Sequence, residues 1–144
     1  MLAIKTTYLI LAIIFLFLGI AIYMSFRNSD ILLYHWFFKP SFIDSLYKPV
    51  NTEISFIKSL FVYNLPDGLW FLSGTLFIRF IWIKKINIHR LYFIIFTLMA
   101  IVLEIIQLNK NVPGTFDVLD LFFMGIGALV EGIIYNVFVR RRII

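Results

Sequence analysis

Long apolar runs alternate with short polar stretches along the chain, and the polar stretches mark where one helix ends and the next begins. Residues 6–26 carry no charge and are dominated by Ile, Leu and Phe, which matches the ~20 residues a helix needs to cross a ~30 Å hydrocarbon core. A cleaved signal peptide is the rival reading, but the run is too long for an h-region and no A-x-A site closes it. We expect a retained first span that serves as a lipid-facing wall, with Gly19 and Tyr23 as its few features. A second span is expected over residues 66–83. It opens at Asn64-Leu65-Pro66-Asp67, where Asn64 can cap, Pro66 is tolerated in the first turn and Asp67 complements the helix dipole. Its small residues Ser73, Gly74 and Thr75 would let another helix approach closely. A third span follows over residues 91–108, then a turn broken by Pro113-Gly114. The fourth covers residues 118–139 and ends in Arg140, Arg141 and Arg142.

Between the first two spans lie residues 27–64, too long for an idle loop and too aromatic for disorder. Their apolar islands, residues 31–38 and 54–63, are each too short to span and read as interfacial helices. His35 sits among aromatics there and reads as a packing residue. The expected fold is therefore an all-α membrane protein forming a single domain over residues 1–144. It has four transmembrane helices and an aromatic interfacial loop between the first and second.

Polar residues inside the later spans fall on single faces. Thr97, Ala100, Glu104 and Gln107 share one stripe of the third span, and Asp117, Asp120, Met124, Gly127 and Glu131 share one stripe of the fourth. Such stripes turn toward protein rather than lipid, because a charge at the centre of a membrane helix costs ~2.5–3.5 kcal/mol on insertion scales. Gly125 and Gly127 are expected to leave room for a neighbouring backbone. Glu131 lies about 16 Å deeper than Asp120 along the helix axis. Arg79, in the same half of the bundle, is its candidate partner in a structural ion pair, the alternative being a protonated, neutral Glu131.

Composition fixes the solvent. Of 144 residues, 62% are hydrophobic and only 15% charged, more apolar surface than a soluble domain of this size can hide. The net charge of +5 would suggest nucleic acid in a soluble protein, but here the bases flank apolar runs and read as topology signals and headgroup contacts. His89, in one of these basic turns, reads as such a contact. With no cysteine there is no disulfide framework, thiolate metal site or lipid-modified cysteine. Lys5, Arg79, Lys84, Lys85, Arg90 and the arginines at 140–142 make eight of the thirteen Lys and Arg, all on one side of a four-span arrangement. The positive-inside rule then places both termini in the cytoplasm.

That topology gathers Asp67, Glu104, Gln107, Asp117 and Asp120 near the outer ends of three spans. Helix capping accounts for Asp67 and Asp117 equally well, since Asp117-x-x-Asp120 has the form of a capping box. Glu104 and Asp120, each about a turn inside its helix, point more strongly to a functional or pairing role. No spacing typical of metal ligands, no HExxH, GxSxG or Walker pattern and no assembled Ser, His and Asp trio is present, so no metal or cofactor is expected.

Glu104-x-x-Gln107, Pro113-Gly114-Thr115-Phe116-Asp117-x-x-Asp120 and Gly127-Ala128 together resemble the C-terminal signature of VanZ-like proteins. That family reads E-x-x-Q, a Pro/Gly-Arg turn, D-x-x-D, an Asn four residues on, and Gly-Ala. Thr115 stands where the family has Arg and Met124 where it has Asn, and Leu65-Pro66-Asp67-Gly68-Leu69-Trp70 replaces the more usual D-K-x-x-H-F. The resemblance implies a small multi-pass protein of the bacterial cytoplasmic membrane, in a family whose founder is associated with low-level resistance to the glycopeptide teicoplanin.

Three functions follow as expectations. The first is binding of a lipid headgroup, cell-envelope precursor or other amphiphilic ligand in an outer-leaflet acidic pocket, with membrane lipids as surroundings and no nucleic-acid partner. Glu104 and Asp120 would be its principal contacts and Gln107 the orienting amide. The second is an enzyme acting on a lipid-linked substrate with paired carboxylates as acid and base. The third is a proton-coupled transporter or small membrane subunit using Glu104, Asp120 and Glu131 as a relay.

Overall fold

A computed structural model describes residues 2–26, 60–109, 111–112 and 115–138, and the regular structure among them is entirely helical. Most of the aromatic connection with its first island and His35, the Pro113-Gly114 pair and the arginines at 140–142 fall outside the described residues. Four long helices are formed: α1 Leu2–Phe26, α2 Leu65–Trp82, α3 Ile86–Ile106 and α4 Val118–Phe138. A single π-helical turn, Leu60–Asn64, leads into α2. Ala3–Ser25, Ile86–Ile106 and Val118–Phe138 are long and apolar enough to cross a membrane, whereas α2 is not apolar enough by that measure.

The reason lies in where α2 sits. It packs along α1, α4 and, less extensively, α3, and buries Gly68, Leu69, Phe71, Leu72, Ser73, Thr75, Leu76 and Arg79. A helix enclosed by protein does not need an apolar surface all round. Its small and polar residues are contacts with other helices. Ser73 Oγ donates to the Ala12 carbonyl at 2.7 Å, tying α2 to α1, and Gly74 lies under the Phe96 ring of α3. The apolar core lies beside it, with Tyr8 and Ala12 of α1 against Leu72 and Leu76 of α2.

Contacts also fix the helix directions. Lys5 Nζ lies 4.8 Å from the Phe80 ring centre, while Tyr23 meets Trp70 at the other end, so α1 and α2 are antiparallel. Trp82 stacks on Tyr92 and Phe71 on Phe96, so α3 reverses again. Asn64 meets Asp120 and Arg79 meets Glu131, so α4 runs parallel to α2. The start of α1, the α2–α3 turn and the end of α4 thus share one end of the bundle.

Several expectations change. α1 begins at Leu2 and includes Lys5, whose charge is placed over an aromatic face rather than ending the helix. It is not only a lipid-facing wall, since Tyr8, Ala12 and Gly19 are buried against α2. α3 begins at Ile86 instead of residue 91, which takes His89 into the helix and buries it. His89 is therefore a buried helix residue and does not lie in an exposed basic turn. Asn64 does not cap α2 with its side chain. Gly127 does receive a neighbouring backbone, but Gly125 is exposed and a methyl group there would meet none of the described residues within 4 Å.

Candidate functional site

At the Asn64 end of the bundle, α2, α3 and α4 bring their polar stripes to one level. Asn64 Nδ2 donates to Asp117 Oδ2 at 3.0 Å and to Asp120 Oδ1 at 2.8 Å. One buried amide thus bridges two carboxylates across the α2–α4 seam. Asp117 Oδ1 accepts from the Leu119 backbone N–H at 2.9 Å, the geometry of an N-cap on α4. The reciprocal half of a capping box would require a side chain from within α4 on the Asp117 N–H. Glu104 Oε1 from α3 accepts that proton instead, at 2.9 Å, so a carboxylate from another helix completes the cap. Gln107 Nε2 donates to Glu104 Oε2 at 3.3 Å, one helical turn away.

The sequence candidates therefore separate into two kinds. Asp117 is held by Asn64 and the first turn of α4 and is not among the residues that line the chamber. Asp67, Glu104, Gln107 and Asp120 line a chamber of about 430 Å³, together with Tyr23, Trp70 and Thr115. Among the described residues no Lys or Arg lines the chamber, and three of the seven that do are carboxylates. Carboxylates at this density favour hydrogen-bond donors or cations. Among the described residues no group of three or more His, Cys, Asp or Glu is arranged to hold a metal ion.

Four of these residues, Asp67, Trp70, Glu104 and Gln107, also form the wall of a second space of about 300 Å³. Its remaining lining is apolar: Phe71 from α2, Phe96, Met99, Ala100 and Leu103 from α3, and Met124 from α4. It follows the seam where α3 and α4 touch only narrowly. Trp70 stands at the junction, and its buried indole Nε1 has no hydrogen-bond partner among the described residues. An acidic chamber and an apolar groove thus adjoin through a shared wall. Met124, where the VanZ-like pattern has Asn, contributes to the greasy part.

Glu131 lies at the opposite end, away from this chamber. Arg79 Nε donates to Glu131 Oε1 at 2.7 Å with both side chains almost fully buried, 6% and 5% exposed. The Arg79 guanidinium also covers the Tyr135 ring at 4.3 Å. His89 Nε2 is 3.9 Å from the same Glu131 oxygen. Between the two ends the helices meet directly, with Gly68 against the Phe123 backbone and Gly127 against Gly68 and Leu72.

Asn64 and His89 are among the residues of these sites that escape the sequence reading. Asn64 looks like a cap because it precedes Pro66, and nothing local shows that its amide reaches α4. His89 carried a readable signal: continuing the third-helix stripe back from Thr97 in steps of four passes through Phe93 to His89. No family model, no curated protein and no solved structure matches the chain.

Proposed function

We propose that this is a four-span VanZ-like protein of the bacterial cytoplasmic membrane that binds a membrane amphiphile, a lipid or lipid-linked envelope component. The amphiphile places a hydrogen-bond-donating or cationic head in the acidic chamber and a hydrocarbon segment in the adjoining groove. The shared wall of Asp67, Trp70, Glu104 and Gln107 is the observation that carries the reading, because it puts an acceptor-rich space and an apolar space within one molecule's reach. α2 is taken as the fourth span. It runs ~27 Å at 1.5 Å per residue, and its polar positions are covered by the other three helices. The excess of bases at the Arg79 end supports placing that end in the cytoplasm and the chamber in the outer leaflet.

Binding is favoured over catalysis because several chamber carboxylate oxygens already have fixed work. Glu104 holds the start of α4 and Asp120 holds Asn64. A proton relay from Asp120 to Glu131 is disfavoured by the close helix contact at Gly68, Leu72 and Gly127 that separates them. A link to teicoplanin resistance rests on the sequence resemblance alone. The deciding experiment is the mass of the amphiphile released from the purified protein, compared between the wild type and Glu104→Gln.

A further inference from the structure

At the other end of the bundle the geometry points to a second, independent site. A cavity of about 320 Å³ between α2, α3 and α4 takes a phosphate group, held by Arg79, His89 and Arg90. Its observational basis is a set of buried donors with nothing to donate to. Arg79 uses Nε on Glu131, but among the described residues its Nη1 has no hydrogen-bond partner, and neither ring nitrogen of His89 has one. Both side chains line the cavity and are less than a tenth exposed. Glu131 does not satisfy His89, since 3.9 Å is beyond hydrogen-bond reach. Buried polar atoms without partners are uncommon because each forfeits its hydration, and a cluster around one cavity marks a place where a ligand supplies what is missing.

Charge selects the ligand's sign. Glu131 is offset by Arg79, and Arg90, exposed at the rim, adds a positive charge with none opposing it among the lining residues. α3 also starts here: Ile86 lines the cavity and Lys85 supplies no side-chain cap, so the positive end of that helix is left to the site. A guanidinium can hold phosphate oxygens through several N–H groups, and imidazole donates from one nitrogen when neutral and both when protonated. Phe93 and Ile94 complete the lining with apolar surface, which suits a phosphate carried by a lipid. Free phosphate and a phospholipid headgroup present the same chemistry to these donors.

The test uses the full-length protein in detergent, titrated separately with phosphatidic acid, with diacylglycerol of the same chains and with inorganic phosphate, binding being read by native mass and thermal shift. Phosphatidic acid is expected to bind at least about tenfold more tightly than diacylglycerol. His89→Phe combined with Arg90→Gln should weaken phosphatidic acid by about tenfold, the size expected for losing charge-assisted hydrogen bonds. Glu104→Gln, at the other end of the bundle, should leave this affinity unchanged whatever becomes of the acidic chamber. Competition by inorganic phosphate would identify a site open to the free anion, and its absence a headgroup site; both support the inference. Equal affinity for diacylglycerol and phosphatidic acid overturns it. Should the double variant fail to fold, Arg90→Gln alone, altered only at an exposed side chain, must weaken phosphatidic acid several-fold, and unchanged affinity there overturns the inference as well.

Discussion

Arg79 and Glu131 show how a charge survives inside a bundle whose surroundings are hydrocarbon. Neither is tolerable there alone, and each relieves the other through one short hydrogen bond, with the Tyr135 ring covering the guanidinium. Removing one partner leaves the other charged and buried. Arg79→Gln or Glu131→Gln should therefore cost ~3–5 kcal/mol, whereas Arg79→Met with Glu131→Leu should recover most of that loss. A double-mutant cycle on unfolding free energies measures this coupling directly; additive single effects would mean the pair does not act as a unit. The two residues could be matched from sequence because both lie in long apolar runs at comparable depth. His89 could not be placed in the same way, since starting its helix at residue 91 cut it off from its own stripe. At the other end, Asp117 and Asp120 were legible as a pair on one helix face. The amide that holds them together comes from Asn64, more than fifty residues earlier, a contact that no local pattern encodes.

At the level of the helices, α2 is the element whose sequence least resembles its position. Hydropathy marks α1, α3 and α4 readily, since each turns large apolar side chains outward, such as Phe17, Leu98 and Leu129. α2 turns its surface toward protein and can carry Ser73, Gly74, Thr75 and Arg79, so a measure of average greasiness passes over it. Its junction with α4 depends on two glycines. A methyl group on Gly127 would lie 2.8 Å from the Gly68 carbonyl oxygen, and one on Gly68 equally close to the Phe123 carbonyl oxygen. Backbone cannot step aside as a flexible side chain would. Gly127→Ala should thus cost ~1–3 kcal/mol by forcing the helices apart. Gly125→Ala and Gly132→Ala, with none of the described residues within 4 Å, should stay within ~0.5 kcal/mol of the wild type. Equal unfolding midpoints for the Gly127 and Gly125 variants would show that the α2–α4 junction is looser than described.

For the molecule as a whole, alternating helix directions put the chamber and the phosphate cavity at opposite ends, joined by a tightly packed seam. Because the chain has no cysteine, single cysteines can report which end faces which compartment. Asn109→Cys and Lys85→Cys are both at exposed positions, in the α3–α4 and α2–α3 connections respectively. On intact cells an impermeant thiol reagent should label Asn109→Cys, and Lys85→Cys only after the membrane is opened. Labelling of both from outside would remove α3 as a span. The central claim, however, is that the acidic chamber and its groove hold one amphiphile, and mass spectrometry of what the protein carries tests it most directly. The protein purified in mild detergent should release an amphiphile with a cationic or hydroxyl-rich head, lost or at least about tenfold depleted in Glu104→Gln and in Asp120→Asn variants that remain folded, as expected when a charge-assisted contact is removed. Release of no such molecule from the wild type, or its undiminished retention by both variants, would contradict the account.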